Sequence, residues 1–274
     1  MKFGLNRMLT LLAAENEGFF AKLKKTAVAV GENVGFILVF LAIIVALFLI
    51  AYCLEVFAQK KNGVKEKIFT PRKMAFVGIF SAVSAVLMLF EIVMPFAPSF
   101  YKLDFSEIPI LIGTFAFGPA AGVMMEFVKI FLKLIMKGSS TAFVGELANF
   151  AVGCSFILPA SLIYTFKKSK KSAIIACGLG TVILTIFGTA FNAIYLLPAF
   201  AKLYGMPLEA ILGMGSKVNS LVKEGSIISF VVWCVAPLNL IKGVSVSIIT
   251  MLVYKPLSPI IKGITNRERK QRNK

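Results

Sequence analysis

Long apolar runs recur along this chain between short basic segments, several of them close to the ~20 residues that a helix needs to cross a bilayer core. In lipid every backbone polar group must be satisfied within the chain, so runs of this kind fold as helices. Of the 274 residues, 58% are hydrophobic and only 16% are charged. No single soluble domain has an interior that would hide so much apolar surface. The pattern predicts an all-α integral membrane protein with about seven spanning helices.

The first span is expected at about 34–57, too long and too poor in small residues at its end to be a signal peptide. A basic linker follows, Lys60-Lys61-Asn62-Gly63-Val64-Lys65-Glu66-Lys67, closing with Pro71-Arg72-Lys73. Further spans are expected at about 74–94, 108–117, 120–135, 147–166, 173–200 and 227–254. Those at 108–117 and 120–135 are short and joined by Gly118-Pro119-Ala120-Ala121-Gly122, which predicts a tight hairpin whose first arm does not cross fully. Three regions result: an extension, 1–72, with one extra helix; a membrane domain, 73–257; and a basic tail, 258–274.

The net charge of +17 lies beside the apolar runs and forms no basic face with interleaved aromatics, so it speaks for topology and against nucleic acid. Basic flanks are retained in the cytoplasm. That rule puts the linker 58–73, the turn Lys167-Lys168-Ser169-Lys170-Lys171 and the tail inside, and the loops 95–107, 136–146 and 201–226 outside. The N-terminus then faces outward, although residues 1–33 carry Lys2, Arg7, Lys22, Lys24 and Lys25. The cysteines Cys53, Cys154, Cys177 and Cys234 lack metal-ligand spacing and read as small hydrophobes. Histidine is absent, which removes the commonest general base and metal ligand.

A charge at the centre of a spanning helix costs ~2.5–3.5 kcal/mol on insertion scales, so each needs a partner or a wet cavity. Asn239 and Lys242 are three apart and share a helix face, and Pro237 starts or kinks that helix. Lys242 thus either lines an outward pocket or pairs with a buried carboxylate. Asn192 either lines the same pocket or serves as interhelical hydrogen-bond glue. Glu126, Lys129 and Lys133 share one side of their helix, which predicts a Glu126–Lys129 pair with Lys133 snorkelling away. Glu146 and Asn149 read as capping or packing groups. The aromatic loop from Pro95 through Phe100, Tyr101, Lys102, Leu103 and Asp104 either covers an aromatic ligand or sits at the headgroups. Small residues at four-residue spacing, Gly78 with Ala82 and Ser81 with Ala85, permit close helix approach.

Taken together, Lys102-Leu103-Asp104-Phe105-Ser106-Glu107-Ile108-Pro109, Phe117-Gly118-Pro119-Ala120-Ala121-Gly122, Glu146-Leu147-Ala148-Asn149-Phe150 and Asn239-Leu240-Ile241-Lys242-Gly243 resemble the riboflavin-specific S-components of energy-coupling factor (ECF) vitamin transporters. The resemblance covers about 70–260. It implies a six-helix S-component bundle, here preceded by one additional N-terminal transmembrane helix, in the cell membrane. It implies high-affinity binding of riboflavin as transported ligand with no cofactor, and no enzymatic activity. It also implies a transmembrane coupling protein and two cytoplasmic ATPases as partners, with toppling of the loaded subunit to release its vitamin inward. Asn192, Asn239 and Lys242 would hold the flavin, with Tyr101, Lys102, Leu103 and Asp104 closing over it. Gly78, Ser81, Ala82 and Ala85 would dock the coupling protein, although the family's usual Ala-x-x-x-Ala is absent here. The extension 1–60 and the insert around 205–226 depart from the family pattern.

No Gly-x-x-x-x-Gly-Lys-Ser/Thr sequence is present, so the chain is not expected to hydrolyse ATP. Besides a lipid-packed scaffold or assembly protein, which would leave Lys242 unexplained unless it met a carboxylate, two alternatives remain on the residues alone. One is the same architecture with FMN or a different vitamin. The other is an intramembrane lipid enzyme using Glu126, Glu146 and Asn149, which lacks paired-carboxylate spacing.

Overall fold

The computed structural model describes residues 34–63, 67–139 and 143–272. The basic residues expected before the first span, and part of the linker, lie outside the described residues. Five described helices are long and apolar enough to cross a membrane: Val34–Lys61, Pro71–Leu89, Val144–Phe166, Lys170–Lys202 and Ile227–Tyr254.

The first of these, α1 (Val34–Lys61), has a mean hydropathy of 3.3 over its most apolar stretch and ends on Lys60 and Lys61. Thr70 caps α2 (Pro71–Leu89), its side chain accepting from Lys73 N, and Pro71 sits at the first helical position where no N–H is needed. α2 stops at Leu89, short of the expected 94, because the chain turns into a small antiparallel hairpin. In it β1 (Ile92–Val93) pairs with β2 (Lys102–Leu103), Ile92 opposite Leu103.

Next comes the expected tight hairpin of α3 (Glu107–Phe117) and α4 (Pro119–Lys137). Eleven residues in α3 reach only about 16 Å, far short of a bilayer core. Gly118 joins the two helices at φ 97, a left-handed conformation that suits glycine. A side chain there would also strike Glu55 of α1, whose Oε2 would lie 2.9 Å from the added carbon. That carboxylate accepts from Ala120 N at 3.0 Å and pairs with Lys73 Nζ at 3.4 Å. One acidic residue on the extra helix thus caps α4 and pins the start of α2.

α5 (Val144–Phe166) and α6 (Lys170–Phe191) follow, then a π turn (Asn192–Leu196) leading into α7 (Leu197–Tyr204). A second π turn (Val231–Val235) separates α9 (Ile227–Phe230) from α10 (Ala236–Arg272). Each π turn precedes a proline, Pro198 or Pro237, at the second position of the next helix. Proline has no N–H for the carbonyl four residues back and crowds it; the wider turn accommodates the ring. Beside Pro237, the Trp233 carbonyl instead accepts from Asn219 Nδ2 at 3.1 Å. Helix therefore runs through Pro237 instead of starting there, and on past 254 into the expected tail. The segment 201–226, expected as a loop, contains α8 (Leu208–Val218). Its buried Ile211 and Leu212 join Phe230, Val231 and Ala97 in a separate apolar cluster.

The larger core lies among α2 to α6 and α10, around Leu111, Phe115, Phe150, Phe156 and Val246. On α2, Ser81 and Ala85 are fully buried, with Ser81 Oγ donating to Met125 O of α4 at 3.2 Å. Of the four small residues, Gly78 and Ala82 remain exposed. The expected small-residue surface is therefore split between two sides of the helix, because Ser81 and Ala85 fall in line with the inward Val77, Ser84 and Met88.

If Glu55 fastens the extra helix, Glu55→Ala removes a buried charge partner and a helix cap together. We expect a loss of about 3–5 kcal/mol, read as a lower melting temperature in detergent, with ligand affinity at the distant end of the bundle unchanged.

Candidate ligand-binding site

The chain's antiparallel course places the hairpin at the end of the bundle away from Lys60 and Lys61. There a cavity of about 120 Å³ opens between the first loop, α5, the two π turns, α7 and α10. Phe100, Tyr101 and Lys102 of the loop line it, with Gly145, Asn149 and Val152 of α5, Asn192 and Leu196 of the first π turn, and Asn239 and Lys242 of α10. Three-residue spacing on α10 aims Asn239 and Lys242 at this one space, as expected for a shared helix face.

Each polar group is held differently. Asn192 Nδ2 donates to Gly188 O at 2.7 Å, while its Oδ1 accepts from the Tyr101 hydroxyl, also at 2.7 Å. Asn149, expected as a capping or packing group, does donate to Gly145 O at 3.0 Å, yet it also lines the cavity. Asn239 Nδ2 is buried with no hydrogen-bond partner among the described residues. A buried amide without an acceptor costs about 1–3 kcal/mol, so this donor suits a ligand carbonyl or ring nitrogen. Aromatic rings close the rim: Phe100 stacks on Phe200 at 5.0 Å and leans on Tyr101 at 4.8 Å.

Lys242 both faces a cavity and meets buried carboxylates. It lines the cavity, and its Nζ lies 3.3 Å from Asp104 Oδ2 and 3.4 Å from Glu107 Oε1. Glu107 Oε1 also meets Lys129 Nζ at 2.9 Å, and Lys129 meets Glu126 at 2.6 Å as expected from their spacing. The result is a buried network of Asp104, Glu107, Glu126, Lys129 and Lys242 beneath the cavity floor. Asp104 further accepts from Ser106 N and Ser106 Oγ, which fixes the root of the loop.

Lys133 does not snorkel. It is buried against Glu146 at the start of α5, and Ser139 Oγ donates to the same carboxylate at 2.8 Å. Of the loop residues, Tyr101 and Lys102 border the cavity. Leu103 is buried beside it without lining it, and Asp104 turns below to Lys242. At the mouth, Lys102 and Lys137 share Glu91, each at 2.7 Å. Burial alone would raise the Glu91 carboxyl, but the two lysines outweigh it and hold it below the usual carboxylate range. Among the described residues no group of His, Cys, Asp and Glu side chains could hold a metal ion.

A profile of the family described as ECF transporter, substrate-specific component, matches residues 72–254. The chain belongs to that family. The S-component is 35% identical over 193 residues to the riboflavin transporter RibU of Staphylococcus aureus (strain TCH60), a match covering 70% of this chain and 94% of the relative. It is 30% identical over 191 residues to the riboflavin transporter FmnP of Bacillus subtilis (strain 168), covering 69% and 94%. A solved structure of the S component of a bacterial ECF transporter matches with a TM-score of 0.54 and 33% identity, covering 70% of this chain and 98% of that one. The family is one of transporter components, not enzymes. The family match begins after α1, so the extra helix is an addition to the S-component bundle.

The network under the cavity holds three carboxylates against two ammonium groups. Glu126→Gln brings that count level and should leave expression and melting temperature close to wild type. Lys129→Met leaves the carboxylates with Lys242 alone and should lower stability by about 3–5 kcal/mol. Thermal unfolding of the two purified variants in one detergent checks the contrast.

Proposed function

We propose that this S-component binds riboflavin as its cargo, with no resident cofactor, and mediates uptake with a transmembrane coupling protein and two cytoplasmic ATPases. The observation that carries the reading is the identity of 30% and 35% to two riboflavin transporters over 94% of their length. The cavity's chemistry agrees with it. The pyrimidine edge of isoalloxazine alternates acceptors with an N–H donor; Asn192 and Asn239 offer both kinds of partner and Lys242 offers donors. Phe100, Tyr101 and Phe200 supply aromatic surface for the flat ring. In this reading Leu103 and Asp104 act through the loop's shape instead of touching the vitamin.

The protein would lie in the cell membrane with its cavity and N-terminus outward and its C-terminus in the cytoplasm, following the basic flanks. Gly78 and Ala82, both exposed on α2, would take part in docking the coupling protein; Ser81 and Ala85 drop out because they are buried. Phosphorylated flavin is a second reading, favoured by the mouth, where Lys102 and Lys137 share the one carboxylate of Glu91. One positive charge is left over among those three groups, of which Lys102 lines the cavity.

The test is the visible spectrum of the purified protein and its quenching of riboflavin and FMN fluorescence. A yellow protein, or saturable quenching of riboflavin, is expected; a colourless protein that quenches neither flavin overturns the reading. Lys242→Met should weaken riboflavin binding by roughly ten- to a hundredfold, the worth of a hydrogen bond from a charged donor. It should also lower stability, because Asp104 and Glu107 lose a cation. Adding Asp104→Asn should recover the melting temperature without recovering the affinity.

A further inference from the structure

We infer that Gly188 is a positioning residue of the ligand site, setting where the Asn239 amide stands in the cavity. The inference rests on the reading of Asn239 as a ligand contact. Gly188 is buried in α6, one turn before Asn192. A Cβ built on it would lie 2.5 Å from Asn239 Nδ2 and 3.1 Å from Asn239 Cγ, with Val152 Cγ1 at 3.3 Å. Real Cβ atoms do not approach to 2.5 Å, so the amide occupies the space that any other residue would fill. The atom in question is the same buried Nδ2 that has no partner among the described residues, on a side chain that lines the cavity.

The backbone of Gly188 serves the neighbouring amide as well. Its carbonyl accepts from Asn192 Nδ2 at 2.7 Å, which turns Asn192 Oδ1 toward Tyr101. Asn192 and Asn239 therefore take their places from one residue of α6, the first through its carbonyl and the second through its missing side chain. Glycine is a poor helix former beside alanine, and the group it admits here is a polar side-chain terminus, not the backbone of a neighbouring helix. Because the group struck first is the end of a side chain that turns about two bonds, alanine at 188 is expected to displace the amide before it displaces the helices. The substitution separates a ligand role from a packing role.

The experiment measures riboflavin affinity by fluorescence quenching, and melting temperature in detergent, for Gly188→Ala, Asn239→Ala, the double variant and Gly178→Ala. Gly178 lies on the same helix with nothing within 4 Å of an added Cβ, so its variant should bind as wild type. Gly188→Ala should melt near wild type yet bind riboflavin about tenfold or more weakly. In the Asn239→Ala background the same change should add little, the non-additivity expected when one residue acts through another. Additive losses, or wild-type affinity in Gly188→Ala while Asn239→Ala binds weakly, would overturn the inference. Wild-type affinity in Asn239→Ala would instead overturn the ligand role of Asn239, and this inference with it. If Gly188→Ala melts early, recovery in the double variant supports the clash at Asn239, and lack of recovery refutes it.

Discussion

A charge buried where neither water nor a polar solvent can reach it has to find its counter-charge inside the protein, and most of this structure is arranged around that requirement. Asp104 comes from the root of the first loop, Glu107 from α3, Glu126 and Lys129 from α4, and Lys242 from α10. Ion pairs tie the loop to α10, α10 to α3 and α3 to α4. The short α3 does not cross the bilayer, yet it is held through Glu107, which touches both lysines. Lys133 with Glu146 repeats the arrangement between α4 and α5.

The same network explains how a lysine can serve recognition in so apolar a setting. An ammonium has three donors; in Lys242, Asp104 and Glu107 account for two directions and the cavity lies in a third. Its position is fixed from beneath before any ligand arrives, so little is lost in ordering a long side chain upon binding. Asn192 is restrained in another way, with both halves of its amide engaged by Gly188 and Tyr101. Among the described residues that line the cavity, Asn239 has a buried donor without a partner.

The parts legible in the sequence were those that depend on local periodicity. Apolar runs located the helices, Gly118-Pro119 marked the hairpin, and three-residue spacing put Asn239 with Lys242 and Glu126 with Lys129. What escaped depended on partners distant in the chain. Lys242 and Asp104 are 138 residues apart, and nothing around either one names the other. Glu107 lay inside a motif that signalled family, so its role as a counter-ion went unread. Lys133 looked free to snorkel because Glu146, its partner, belongs to the next helix. On α2, spacing alone gave Ser81 and Ala85 the same standing as Gly78 and Ala82; only packing against α4 separates the pairs. Glu55 sits in a helix so apolar that its one buried carboxylate carried no pattern of its own.

The 138-residue interval between Asp104 and Lys242 also sets an order of assembly. A ribosome extends a chain at about 5–20 residues per second, so the hairpin of α3 and α4 is synthesised many seconds before the last helix. During that time Asp104, Glu107 and Glu126 have only Lys129 to balance them. Until α10 supplies the second cation, the excess carboxylates need water, a proton or another partner. The residue that supplies that cation also lines the cavity, so the last helix made completes both the network and the cavity.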